Sequence, residues 1–249
     1  MFNKRHIVRT IAATASILAL SFTAACGSGQ STASNSADSD DITQQTYKPG
    51  KLTIATGQPA YEPWVMNDKP ESGEGYEAAV AYAVADKLGF KKSDVVWTRT
   101  AFDTAIAPGA KDWDFNIQQF GITDERKKAV DFSSSYYNDS QSVVVKKDSK
   151  FANATKVSDL KDATVGVMVG TLAYDYAKAN IKDDIQTFND DAALAQALDA
   201  GQIDALVTST VECVYMVQSE QVKDAKCSAV CLTPKTRAAW ASCCRRIPS

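Results

Sequence analysis

Arg126 is the side chain in this sequence best placed to recognise a small molecule. It ends the run Gln119-Phe120-Gly121-Ile122-Thr123-Asp124-Glu125-Arg126, and Asp131-Phe132-Ser133-Ser134-Ser135-Tyr136-Tyr137 follows closely. A guanidinium presents a planar fork of donors that meets both oxygens of a carboxylate at once, whereas a lysine ammonium offers a point charge. A guest carrying a carboxylate and an ammonium on one carbon would suit it. In the alternative, Glu125, Arg126, Lys127 and Lys128 form a solvated turn in which Glu125 neutralises its neighbour. Covalent and metal chemistry have less to work with. The single histidine is His6, no nucleophile motif is present, and Cys227, Cys231, Cys243 and Cys244 have C-x3-C and C-C spacings that match structural zinc sites poorly. Disulfides, including one to Cys213, are the other use for these thiols in an oxidising compartment. The expectation is no catalytic residue, no metal and no cofactor.

The elements that must position Arg126 alternate. Lys51–Thr56 alternates as a first strand, and Gly75–Leu88 has apolar residues at helical spacing, with Gly89 as its carboxy-terminal cap. Val95–Thr100 and Phe115–Phe120 are expected strands. Gln141–Lys147, with three consecutive valines from Val143, is the strand expected to carry the chain into a second lobe. Thr164–Val169 is a short apolar strand, and Gly170-Thr171 opens a helix over Leu172–Ala179. Ile185–Phe188, a helix over Asp191–Ala200 and a strand over Ala205–Thr208 continue the pattern. Strands alternating with helices imply an α/β fold with mostly parallel sheets, and ligands then bind at the carboxyl ends of the strands.

The amino terminus points outside the cytoplasm. Lys4, Arg5 and Arg9 precede an apolar stretch, Ile11–Ala25, too short to span a bilayer comfortably, as in a secretion signal. The stretch ends Thr23-Ala24-Ala25-Cys26-Gly27, which resembles a lipobox, with Thr23 where leucine is usual. Cys26 is therefore the expected lipidation site, and the alternative is an ordinary secretion signal with an incidental cysteine. Residues 27 to about 45 are rich in Gly, Ser, Asn and Asp, a tether composition that cannot bury enough apolar area to order itself. A diacyl group would satisfy the rule that stable membrane attachment takes more than one chain. The chain has 27 basic and 30 acidic residues; without the three basic residues of the signal the balance becomes 24 against 30, a net charge of about −6 that argues against a nucleic-acid partner. With 45% hydrophobic residues, the part beyond the tether can build two modest cores.

The run Ile117–Tyr137, with its I-T-x-E-R loop and D-F-S-x-x-Y-Y segment, resembles the signature of the extracytoplasmic solute-binding proteins that serve ABC importers for polar amino acids. The resemblance extends over roughly residues 50 to 225. It implies a two-lobed periplasmic-binding-protein fold of type II that closes like a jaw on its solute. The implied organisation is a signal peptide over 1–25, a lipidated cysteine and tether over 26–48, a first lobe over 49–140, a second over 141–228 and an aberrant tail over 229–249. It implies that Arg126 grips the ligand carboxylate, Gln119 offers its carbonyl to the ammonium, and Tyr61 and Trp64 supply an aromatic surface. Gly170, Thr171 and Leu172 match a G-T-x turn that points backbone amides at the carboxylate from a helix amino terminus. The implied partners are a small polar solute, an amino acid in most relatives, the permease subunits of an ABC importer and, through lipid, the outer face of the bacterial cytoplasmic membrane. The receptor would act as a monomer.

Two positions depart from that pattern, and so does the tail. Gly121 stands where relatives keep Ser or Thr, so only a backbone amide remains there. Ser209 stands where relatives keep the Asp that pairs with the ammonium; either the solute lacks an α-ammonium, another acid such as Glu212 substitutes, or binding is impaired. From about Lys226 the αβ pattern gives way to cysteines and arginines. Permissible codons for Pro234–Ser249 conceal, in a shifted frame, a Gly- and Leu-rich peptide that resembles the family's return strand. This leads to the expectation of a frameshift near Ala225 and of a first lobe missing part of its sheet. A degenerate copy with impaired binding, and an extracytoplasmic enzyme on the same fold, are the alternatives to a working receptor.

Overall fold

The computed structural model describes residues 41–228, 238–240 and 242–244. The expected signal, Cys26, the tether up to residue 40 and Cys231 lie outside the described residues. In chain order the elements are β1 Leu52–Gly57, α1 Tyr76–Lys87, β2 Val95–Thr100, α2 Phe102–Ile106, β3 Phe115–Asn116, β4 Asp131–Phe132, β5 Tyr137–Asp139 and β6 Gln141–Lys146. There follow β7 Val165–Met168, α3 Leu172–Asn180, β8 Gln186–Phe188, α4 Asp191–Asp199, β9 Ala205–Ser209, α5 Thr210–Gln218, β10 Ala225–Cys227, β11 Ala238–Trp240 and β12 Cys243–Cys244. Among the described residues no helix is long and apolar enough to cross a membrane.

Two five-stranded sheets result, ordered β2-β1-β3-β12-β4 and β10-β6-β9-β7-β8, with a small β11-β5 pair beside them. The strands linked through helices, β1 with β2 and β3, and β7 with β8 and β9, run parallel. β6, which brings the chain from the first sheet to the second, pairs antiparallel with β9, and β10 antiparallel with β6. The expected strand over Phe115–Phe120 is shorter than its hydrophobicity suggests: only Phe115–Asn116 forms a strand, and Gln119 adopts φ 51°. The expected missing strand also has a counterpart. β12 enters the first sheet between β3 and β4, antiparallel to both, and Ser133 N–H donates to the Ser242 carbonyl at 3.0 Å.

The strand period of two sorts the second sheet's side chains onto its faces. Val143 and Val145 pack with Val165, Val167 and Ala173 on one side, while Val144 packs with Leu194, Leu198, Leu206 and Met216 on the other. Thus α3 covers one face and α4 and α5 the opposite one. In the first sheet Leu52 and Ile54 pack against Ala81 and Ala85 of α1, and Phe120 and Trp113 fill a second cluster with Val130.

Candidate functional site

Three helices of the second sheet begin at the carboxyl ends of their strands, and each beginning is fixed by a side-chain cap. Thr171 Oγ1 accepts from Tyr174 N–H at 3.2 Å, Asp190 Oδ1 from Ala193 N–H at 2.8 Å, and Ser209 Oγ from Glu212 N–H at 3.0 Å. Capping of this kind satisfies amides that the first turn leaves without partners. It directs Thr171, Leu172, Asp191, Ser209 and Glu212 to one cavity, which the first sheet's side completes with Thr56, Gly57, Tyr61, Trp64, Gln119, Gly121 and Arg126.

Arg126 is 9% exposed. Its Nη1 donates to the Gly121 carbonyl and its Nη2 to the Gly170 carbonyl, both at 2.7 Å, so one guanidinium joins the two sides of the cavity. Its Cζ lies 5.6 Å from the Phe102 ring centroid. The solvated-turn alternative describes its neighbours instead: Lys127 pairs with Asp124 at 2.9 Å and Lys128 with Glu125, on exposed side chains. The Gly170 carbonyl accepts from Arg126, and Thr171 and Leu172 line the cavity.

Gln119 is set by an acid that sequence reasoning passed over. Glu77 is fully buried under the loop and accepts from Gln119 N–H at 2.8 Å, from Gln119 Nε2 and from the Tyr136 hydroxyl. These bonds hold Gln119, the left-handed residue in the loop after β3. Burial pushes the Glu77 carboxyl up to about 7 against the opposing pull of its donors. The signal was an acid on the same helical stripe as Ala81 and Ala85, where an apolar residue is the rule.

Trp64 lines the cavity but belongs equally to packing. It meets Tyr137 edge-on at 5.6 Å and Tyr76 at 6.0 Å, and its Nε1 donates to Glu212 Oε2 at 3.2 Å. Tyr61 also lines the cavity, its hydroxyl buried beside the Ala192 backbone at the start of α4. The open place at Gly121 is filled from across the cavity, since a Cβ there would fall 2.2 Å from Leu172 Cδ1. Ser209 is occupied as the cap of α5.

The cavity is electrostatically unbalanced. Arg126, Asp191 and Glu212 all line it. Glu212 is 4% exposed, and its Oε1 has no hydrogen-bond partner. Burial, then the Asp191 charge, push its carboxyl well above the usual range. Burial, then Asp190, push Asp191 up to about 6. Sequence reasoning missed Asp191 because an acid in the first turn of a helix is ordinary there. Among the described residues no cluster of His, Cys, Asp and Glu could hold a metal. Cys213 of α5 and Cys227 of β10 form a disulfide, with Cα atoms 6.2 Å apart.

Known proteins resemble this chain in sequence and fold. The L-cystine-binding protein TcyJ of Escherichia coli is 31% identical over 160 residues, which are 64% of this chain and 59% of that protein. The glutamine-binding protein of Geobacillus stearothermophilus is 32% identical over 225 residues, 82% of each chain. An ancestral arginine-binding protein solved with arginine superposes with a TM-score of 0.67 at 30% identity, covering 79% of this chain and 85% of its own. A sequence profile of the bacterial extracellular solute-binding proteins, family 3, matches residues 52–209, well over half of the sequence. The chain belongs to that family.

Proposed function

We propose that the protein is the extracytoplasmic receptor of an ABC importer, closing two lobes, residues 49–140 and 141–228, on a polar amino acid. The observation that carries this is Arg126, whose buried guanidinium lies in the cavity between the two sheets and bonds to both sides of it. A carboxylate entering there would meet a preformed fork. The relatives named above bind cystine, glutamine and arginine, all α-amino acids. Cys26 would carry the lipid that holds the receptor at the outer face of the cytoplasmic membrane, acting as a monomer beside its permease. No step of covalent catalysis is assigned to the site.

Thermal melting with each of the twenty common amino acids at millimolar concentration tests the reading. A ligand that binds only the folded state stabilises it by ~2.7 kcal/mol at a hundred times its dissociation constant. A melt raised by one or a few amino acids is expected; a cooperative melt moved by none would refute it. The tail carries a separate proposal, that residues 229–249 are read out of frame, motivated by their composition. Resequencing the gene across the Ala225 codon decides it, an uninterrupted frame in the parent strain removing the idea.

A further inference from the structure

We propose that Glu77, a positioning residue outside the cavity lining, orients the Gln119 carboxamide and so makes amino-acid binding strengthen as pH rises. The inference rests on the reading of the cavity as an amino-acid site and concerns the regulation of that site. Glu77 lies in the first turn of α1, is fully buried and does not line the cavity. Its backbone N–H donates to the Trp64 carbonyl at 3.0 Å, so its place is fixed by a residue that does. The two oxygens of Glu77 have different partners. Its Oε1 accepts from the Gln119 backbone N–H at 2.8 Å and from the Tyr136 hydroxyl, while its Oε2 accepts from Gln119 Nε2.

Three donors aimed at one acid suit its ionised form. With Nε2 turned to Glu77, the carboxamide oxygen of Gln119 is the end left for a ligand, in a side chain that lines the cavity. A proton added to Glu77 reverses this. Glu77 Oε1 is already met by two donors, so the proton settles on Oε2, where it points at Gln119 Nε2. Two donors cannot bond, and the terminal torsion of a glutamine is broad and roughly two-fold, so the carboxamide turns over. Its oxygen then accepts from Glu77, and its NH₂ takes the oxygen's former place. A ligand N–H meets an acceptor in one state and a donor in the other. The change falls near neutrality because burial pushes the Glu77 carboxyl up to about 7 against the pull of its donors. The Tyr136 hydroxyl that faces it is kept protonated by burial, then by the Glu77 charge, and Tyr76 beside it on α1 donates its own hydroxyl to the Tyr136 carbonyl. A ligand that donates to Gln119 favours the ionised acid, so binding expels a proton below about pH 7 and affinity rises through that value.

Isothermal titration of the full chain from about pH 5.5 to about 8 tests this, using the common amino acid that raises the melt most. Glu77→Gln copies the protonated acid: its carbonyl can accept from the Gln119 N–H and Tyr136, and its NH₂ donates to the turned carboxamide. Asp191 and Glu212 line the cavity and titrate in both proteins, so the ratio of native to variant affinity isolates Glu77. That ratio should be near unity at the acid end and grow to roughly tenfold at the alkaline end, the scale of one hydrogen bond exchanged for a donor–donor contact. A ratio that stays constant with pH, as a purely structural role would give, would overturn the assignment while leaving the amino-acid reading intact. Failure of the native protein to bind any amino acid would overturn both. Should Glu77→Gln fail to melt cooperatively, Tyr136→Phe takes its place. It removes the donor that does most to favour the ionised acid, so the rise in affinity must move to higher pH, and an unmoved rise overturns the proposal.

Discussion

Placing a methyl group on Gly121 should weaken ligand binding through Leu172, a residue on the opposite side of the cavity. An ideal Cβ at position 121 lies 2.2 Å from Leu172 Cδ1 and 2.9 Å from its Cγ, and 3.4 Å from Arg126 Nη1. Carbon atoms in good contact sit ~3.5 to 4.0 Å apart, so the isobutyl group has to withdraw by roughly 1 Å or more. Overpacking of this kind typically costs ~1 to 3 kcal/mol. Because Leu172 opens α3 of the second sheet and Gly121 follows β3 of the first, the strain arises when the two sides meet and not within either. Gly121→Ala should therefore lose affinity by roughly 5- to 150-fold, at about 1.4 kcal/mol per factor of ten. Truncating Leu172→Ala in that background should recover much of it, giving a coupling of ~1 to 3 kcal/mol between the positions. Titration calorimetry on the four proteins of the cycle measures this directly. Affinity in Gly121→Ala within threefold of the native value, or strictly additive effects, would refute the complementarity of the two residues.

Three other changes have clear expected outcomes. Arg126→Ala should lower affinity for the amino-acid ligand by at least about 30-fold, since it removes a buried charged partner; near-native titration curves would withdraw the assignment. Glu77 has a folded pKa of about 7, above its ordinary value of 4.5, so between those pH values the folded state holds more protons than the unfolded one. Stability from this group is present at low pH and is lost as pH rises toward 7. Asp139 and Asp191, both pushed up to about 6, act in the same sense. The melting temperature should fall from pH 5.5 to 7.5, and more steeply in the native protein than in Glu77→Gln; parallel pH profiles would exclude Glu77 as a contributor. Reducing the Cys213–Cys227 disulfide, whose partners are 14 residues apart, should destabilise by ~3 kcal/mol. Melts with and without dithiothreitol, checked against Cys213→Ser, report it, and identical melts would mean that the bond does not form in solution.

The alternation of elements was legible because strands and helices of the second sheet carry local signals of their own. Gly170-Thr171 marked one helix start and the valines of β6 a strand buried on both faces, whereas the caps at Asp190 and Ser209, and α5 itself, became visible only in the structure. The loop bearing Arg126 was legible as a motif, yet its ion pairing was not. Lys128 reaches Glu125 three residues earlier, while Arg126 turns inward, and only tertiary packing decides between two neighbours of like charge. The extent of β3 failed for a similar reason. Phe115–Phe120 is apolar enough for a longer strand, but Glu77, 42 residues away in sequence, binds the Gln119 amide and bends the chain. Gly121 looked like a lost hydrogen bond from sequence alone. Its meaning lies in Leu172, a contact that no spacing rule could pair with it.

The two carbonyls that Arg126 engages also bear on timing. Its Nη1 and Nη2 tie Gly121 on one side of the cavity to Gly170 on the other. If those two bonds must break before a solute enters or leaves, the tie also acts as a gate. Where the tied form outnumbers the open one tenfold, entry slows about tenfold, and the apparent affinity becomes the intrinsic one scaled by the open fraction. The dwell time of a captured molecule would then depend on two backbone oxygens of the protein as well as on the groups that recognise it.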